Sequence, residues 1–209
     1  PEYSEKWFGH FVDALGVEEF YLVGNSLGGV ISWNYAATHP ERVKKLILID
    51  PIGYKQTLPT MMNVVSLPGI QTLARWIAPR FMVDSSVRKV YGRPHTIHHS
   101  VFDRYFELLS HPGGRDAMVD VFLTFRMFNG HPEVTTKMKT LKMPTLVMWG
   151  EEDAWVPVSH IENWKRDVPH AETIVYTNAG HIPMEEFPEK TAFDAHRFLS
   201  SNKAESLPD

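Results

Sequence analysis

The chain contains no cysteine and no long apolar run, and each absence excludes a class of protein. Without Cys among its 209 residues, it has no disulfide, no thiolate metal site and no cysteine nucleophile. It has no stretch of about 18 apolar residues, so the sequence predicts no membrane span. The net charge of −4 argues against a nucleic-acid or anionic-membrane partner. These features leave the cellular compartment undecided.

The composition is that of an ordinary globular protein. Hydrophobic residues make up 43% of the chain and charged residues 22%. The length suits one domain with an insertion. Function therefore has to be sought in motifs.

The most informative segment is Gly24-Asn25-Ser26-Leu27-Gly28, which directly follows the apolar run 20–23. The pattern G-x-S-x-G between a strand and a helix is typical of a nucleophile elbow. Gly24 and Gly28 are expected where the strand and helix backbones pass too close for side chains. The first N–H groups of the helix, that of Leu27 above all, would face a developing negative charge on a substrate.

An acid and a histidine follow later in the chain at equivalent places. The apolar runs 145–149 and 172–176 each predict a buried strand, and Asp153 and His181 come soon after their ends. In an open parallel sheet these ends lie on one edge, where sites form. The sequence therefore predicts that Asp153 and His181 meet Ser26.

Two other carboxylates remain open as the acid. Glu152 directly precedes Asp153, and Asp50 stands at the end of another predicted strand, 46–50. The spacing alone does not choose among the three.

Four segments together resemble the α/β-hydrolase superfamily, in its lid-bearing esterase and C–C hydrolase branch. They are Leu22-Val23-Gly24-Asn25-Ser26-Leu27-Gly28-Gly29, Leu46-Ile47-Leu48-Ile49-Asp50-Pro51, Trp149-Gly150-Glu151-Glu152-Asp153, and Ala179-Gly180-His181 with Glu186. The resemblance covers residues 1–51 and 141–200. It implies an α/β fold with parallel strands, flanking helices and an inserted helical lid.

The resemblance also implies roles for residues. Ser26 would be the nucleophile, His181 the base and Asp153 the acid, with the Leu27 N–H in the oxyanion hole. No cofactor and no metal are expected. His95, His98 and His99 suggest a metal site only weakly, since no Cys and no obvious carboxylate partner accompany them.

The organisation along the chain is core, insertion, core and tail. Residues 1–51 and 141–201 are predicted as hydrolase core, 52–140 as a helical lid and 202–209 as a polar tail. The insertion lacks strand character and is longer than a single crossover needs. It holds six of the nine methionines, which suit an apolar, adaptable pocket: Met61, Met62, Met82, Met118, Met127 and Met138.

Members of the family usually carry four more strands before the elbow strand, and a His-Gly loop there supplies a second oxyanion donor. Strand 20–23 is apolar on both faces, as buried central strands are, yet it would be a sheet edge in this chain. The expected partner is therefore the N-terminal part of the same enzyme, whether cleaved, unresolved or in another chain.

The leading function is hydrolysis of small or medium apolar carboxylic esters. The alternative is a C–C bond hydrolase of the meta-cleavage type, whose members often carry a lid Arg and a Trp after the histidine. Here Ile182 follows His181, which counts against this alternative. Arg126 either reaches solvent or holds a substrate carboxylate, and the second role would support the alternative. Trp155 and Ile182 complete the predicted pocket. A non-catalytic binding protein on the same scaffold is a third possibility.

Overall fold

The computed structural model describes residues 2–201 and contains one sheet of four parallel strands. The strands are β1 (Phe20–Asn25), β2 (Val43–Ile49), β3 (Thr145–Gly150) and β4 (Glu172–Tyr176), adjacent in chain order. All four predicted strands are confirmed, and β1 runs two residues further than the apolar run indicated. Because the strands are parallel, their C-terminal ends share one edge of the sheet.

The two faces of the sheet bury alternate residues of the central strands. Leu46, Leu48 and Val147 pack on one face with the helices α1 (Glu2–Ala14), α2 (Leu27–Thr38) and α9 (His160–Asp167). Ile47, Ile49, Leu146 and Met148 pack on the other face with α11 (Pro188–Ser200), which follows the short α10 (Pro183–Glu186). This three-layer arrangement explains why residues 46–49 of β2 and 146–149 of β3 are all apolar.

Among the described strands β1 lies at the edge of the sheet, and one side of its backbone has no partner strand. It pairs with β2 alone among the described strands. Leu22 is buried, whereas Tyr21 and Val23 are 53% and 49% exposed. The edge predicted from the apolar run 20–23 therefore presents both unpaired backbone groups and apolar side chains.

The segment between β2 and β3 is helical in its described residues. Its elements are α3 (Thr60–Val65), α4 (Ile70–Trp76), α5 (Arg80–Val90), a 3-10 helix (Pro94–Thr96), α6 (His99–Ser110), α7 (Gly114–Phe128) and α8 (Pro132–Met138). Their side chains form most of two small apolar clusters, which Trp155 and Ile182 join from outside the segment. The predicted tail, 202–209, lies outside the described residues.

None of the helices between residues 2 and 201 combines the length and the apolar character needed to cross a bilayer.

Candidate active site

Ser26 occupies a sharp turn between β1 and α2. Its backbone angles, φ 54° and ψ −115°, lie outside the common regions for a residue with a side chain. The turn is fixed because the Ser26 N–H donates to the carbonyl of Ile49 on β2, at 2.9 Å. Such a strained backbone persists only where its surroundings enforce it, and it is frequent at functional sites.

The glycines around Ser26 differ in how closely other atoms approach them. A Cβ on Gly24 would lie 2.3 Å from the carbonyl oxygen of Gly28, so only glycine fits there. The expectation that Gly28 is equally crowded is wrong, because no described atom lies within 4 Å of a Cβ built on it. The tight contact is one residue later, where a Cβ on Gly29 would lie 3.0 Å from the Cβ of Pro51.

His181 and Asp153 form a buried pair. The Nδ1 atom of His181 lies 2.7 Å from Oδ2 of Asp153. The other carboxylate oxygen, Oδ1, accepts the backbone N–H groups of Trp155 and Val156 at 2.7 and 2.9 Å. Three donors thus hold the Asp153 carboxylate. The second ring nitrogen of His181, Nε2, remains available for proton exchange.

Of the competing acids, Glu152 does not reach the histidine. Its side chain is exposed, and its backbone N–H donates a hydrogen bond to the carbonyl of Ala179. Asp50 is different, since it is fully buried and its Oδ1 accepts the Gly150 N–H at 2.8 Å. Burial, and then the charge of Asp153, raise the pKa of Asp50 well above its usual range.

The loop that carries His181 is fastened from two sides. Asn25 donates from Nδ2 to the carbonyl of His181, at 3.1 Å. The Glu186 carboxylate accepts the backbone N–H groups of Gly92, Arg93 and Gly180. Sequence reasoning missed both roles, although both residues lay within the matching segments, because a side chain that bonds only backbone leaves no pattern in the sequence.

One group of possible metal ligands occurs among residues 2–201: single atoms of Asp50, Asp153 and His181 within 4.8 Å of one another. Most of their oxygens already accept N–H groups, as described above. Only Oδ2 of Asp50 lacks a hydrogen-bond partner. The donor set therefore fits a hydrogen-bonded network better than a cation site. The exposed His99 pairs with Asp103.

A cavity of about 210 Å³ lies within the helical insertion and reaches Trp155. Its lining is almost wholly apolar and includes three of the methionines singled out in the sequence: Met61, Met82 and Met118. The Trp155 ring stacks on the His181 ring, with 6.0 Å between centroids and 20° between planes. The cavity thus shares Trp155 with the surroundings of the histidine, whereas neither Ser26 nor His181 is among its lining residues.

The other predicted pocket residues lie elsewhere. Ile182 is buried in an apolar cluster with Val87 and Phe102, outside the cavity lining. Arg126 is exposed near the end of α7, where its long side chain reaches water. Arg115, at the start of the same helix, lines the cavity instead.

Sequence reasoning missed Arg115, but a signal was available. Arg115, Val119 and Phe122 are spaced i, i+4 and i+7 and therefore share one helical face. Val119 and Phe122 also line the cavity.

Leu27 begins α2, so its backbone N–H has no acceptor within the helix. Its side chain lines a second, smaller cavity of about 50 Å³ between α2 and the end of α7. The role of this N–H as an oxyanion donor stays a prediction.

A strained serine elbow, a carboxylate–histidine pair and a parallel sheet are typical of the α/β-hydrolase fold class. The family model described as "Alpha/beta hydrolase family" matches residues 2–195. The chain belongs to this family.

Characterised relatives span more than one activity. A 2-hydroxy-6-oxononadienedioate/2-hydroxy-6-oxononatrienedioate hydrolase of Comamonas testosteroni is 31% identical over 182 residues, 81% of this chain and 59% of the relative. Lipase 1 of Psychrobacter immobilis is 28% identical over 188 residues, 88% of this chain and 57% of the relative. The chain thus spans less than two thirds of the length of both.

Solved structures agree on the fold. A bacterial membrane phospholipase A superposes with a TM-score of 0.76 at 25% identity, over 97% of this chain and 63% of that one. A meta-cleavage product hydrolase superposes with a TM-score of 0.79 at 20% identity, over 94% of this chain and 71% of that one. The four strands therefore form part of an α/β-hydrolase fold.

Proposed function

We propose that the protein is a serine hydrolase that cleaves carboxylic esters of small to medium apolar groups through an acyl-enzyme. The observation that carries the proposal is the His181–Asp153 pair at 2.7 Å, in a loop tied by Asn25 to the strained turn of Ser26. A nucleophile, a base and an orienting acid are the groups that acyl transfer needs.

The reaction follows from these groups. Ser26 Oγ attacks the ester carbonyl carbon while Nε2 of His181 takes its proton. The negative charge on the carbonyl oxygen is met by the Leu27 N–H at the start of α2. His181 then protonates the leaving alcohol, and water, activated by the same ring, releases the acid. Asp153 fixes the tautomer of the ring and stabilises its charged form.

The apolar cavity beside Trp155 supports the choice of substrate. Its volume of about 210 Å³ and its methionine-rich lining suit a flexible apolar acyl or alcohol group. We assign the helical insertion, residues 52–140, the role of the lid that supplies this pocket.

A second candidate is C–C bond hydrolysis of a meta-cleavage product, as the name of the 31% identical relative suggests. This reaction uses a substrate with a carboxylate. Arg126 is exposed, and Arg104 is paired with Glu185. Arg115 is the arginine that lines the cavity, so it is the residue on which this alternative depends.

We also infer that the open edge of β1 pairs with a further strand of the same protein. Tyr21 and Val23 are exposed apolar side chains on a strand with unpaired backbone, and Trp7 and Phe11 of α1 are exposed and stacked on each other. We expect the 209-residue chain alone to self-associate, as light scattering would detect. Changing Tyr21 and Val23 to Lys should make it monomeric, and a wild-type chain that is already monomeric contradicts the inference.

Covalent labelling tests the proposed reaction. A fluorophosphonate probe should modify Ser26, as peptide mass spectrometry would show, and Ser26→Ala should abolish both labelling and turnover of p-nitrophenyl butyrate. Ser86→Ala is the matched control, because Ser86 lines the cavity but donates its hydroxyl to Met82. Labelling of another serine in the Ser26→Ala variant would overturn the assignment.

A further inference from the structure

Asp50 is a buried acid that the proposed reaction does not use. It directly follows β2, and its side chain is completely buried. One carboxyl oxygen, Oδ1, accepts the N–H of Gly150 at the end of β3. The other, Oδ2, is buried and has no hydrogen-bond partner within residues 2–201.

The Asp50 carboxyl belongs to the cluster around the histidine. Single atoms of Asp50, Asp153 and His181 all lie within 4.8 Å of one another. Two ionised carboxylates at such a distance repel each other strongly in a buried place, and one proton relieves the repulsion.

The donors around each carboxyl decide which of the two keeps the proton. Asp153 receives three hydrogen bonds, from two backbone N–H groups and the His181 ring, and these favour its ionised form. Asp50 receives one and has no exposed surface. Because Oδ1 of Asp50 accepts an N–H, the proton belongs on Oδ2.

We propose that Asp50 is a positioning residue that stays protonated and faces Asp153 as a neutral donor, so that Asp153 alone carries the negative charge that orients His181. The other groups near Asp50 do not oppose this state. Glu186, on α10, adds negative charge, and the phenol of Tyr176, on β4, is neutral. Burial and the charge of Asp153 raise the pKa of Asp50 in the same sense.

The charge of Asp50 can be read from the pKa of the His181 ring, measured by NMR titration. If Asp50 is neutral, Asp50→Asn removes no charge, and we expect the His181 pKa to stay within about 0.3 units of wild type. Asp153→Asn removes the charge beside the ring and should lower that pKa by about one unit or more. A fall of similar size in Asp50→Asn would overturn the proposal, because it would show that Asp50 is ionised.

The donor role needs a second variant. Asp50→Leu is also neutral but offers no donor, so Asp153 becomes a stronger acceptor and the His181 pKa should rise by about half a unit. The acid limb of kcat/KM should move with it, and kcat/KM should fall about ten-fold, whereas Asp50→Asn should stay within about three-fold of wild type. Equal pKa values and equal rates in both variants would contradict a donor role.

Asp167→Asn is the matched control. Asp167 is another buried acid, but it pairs with Arg166 and Tyr54 away from the histidine. This variant should leave the His181 pKa unchanged. The kinetic comparison rests on the proposed function, whereas the ring titration does not. If no ester is turned over, the proposed function fails while the titration still decides the state of Asp50.

Discussion

The side chain of Asn25 donates a hydrogen bond to the main-chain carbonyl of His181, across 3.1 Å. A second bond from the same Nδ2 reaches the carbonyl of Ile49, at the end of β2. Because Asn25 directly precedes Ser26, one amide group joins the serine turn, the neighbouring strand and the histidine loop.

We expect Asn25→Ala to lower kcat about ten-fold with little change in KM. The variant leaves two carbonyls without this donor, and each lost bond of this kind costs about 1 kcal/mol or more. The histidine loop would then be held less firmly against the serine, which affects the reaction more than substrate binding. Asn63→Ala is the control, because the exposed Asn63 bonds only to Leu58 nearby. Steady-state kinetics with unchanged kcat would contradict the role.

Two adjacent lysines should differ sharply in their contribution to stability. Lys45 is buried, and its Nζ donates to the carbonyls of Phe198, Leu199 and Ser201 at the end of α11. Lys44 is exposed and pairs with Glu19. We expect Lys45→Met to lower the free energy of unfolding by about 1–3 kcal/mol, and Lys44→Met by less than about 0.5 kcal/mol. Urea denaturation measures both, and equal losses would contradict the prediction.

Because of His160, the free energy of unfolding should fall as the pH is lowered. The His160 ring is buried beside the Tyr54 and Trp149 rings, and burial lowers its pKa. Below about pH 6.5 the unfolded chain binds a proton that the folded chain does not yet bind, so stability falls as the pH drops through this window.

We therefore expect His160→Gln to lose less stability than wild type between about pH 7.5 and pH 5.5, by urea denaturation at each pH. Linkage limits the difference in slope to about 1.4 kcal/mol per pH unit. His196→Gln, on the exposed side of α11, is the control and should follow wild type. Parallel curves for wild type and His160→Gln would show that this ring does not contribute.

Two arginines of α7 separate the candidate substrates. Arg126 is exposed, so Arg126→Met should change kcat/KM less than about two-fold for a neutral p-nitrophenyl ester and for a dienone carboxylate. Arg115 lines the cavity, so Arg115→Met should reduce only the reaction of the acidic substrate, by about ten- to a hundred-fold. A large, selective loss in Arg126→Met would instead favour the C–C hydrolase and place Arg126 at the substrate.

The sequence did not identify the arginine that lines the cavity. Arg126 lies seven residues after Val119 and therefore on the same helical face, yet near the end of α7 its long side chain extends to solvent. Arg115 obeys the same periodicity and lines the cavity. The choice between them depends on how α7 packs against α4 and α6, which no local pattern encodes.

The sequence also left open which carboxylate pairs with His181. Three carboxylates follow strands at plausible places, and the resemblance favoured Asp153 without any contact to support it. The structure brings Asp153 to 2.7 Å from His181, leaves Glu152 in solvent and buries Asp50 beside the pair. Distances of this kind arise from the register of β2, β3 and β4.

The sequence by itself determined the four strands, the serine turn and the family, because apolar runs, glycine spacing and strand-end motifs are local properties. Only the tertiary structure decided which acid meets His181, which arginine lines the cavity and which side chains fasten the histidine loop. These depend on residues far apart in the chain, such as Asn25 and His181. Their contacts exist because parallel strands bring their C-terminal ends to one edge of the sheet.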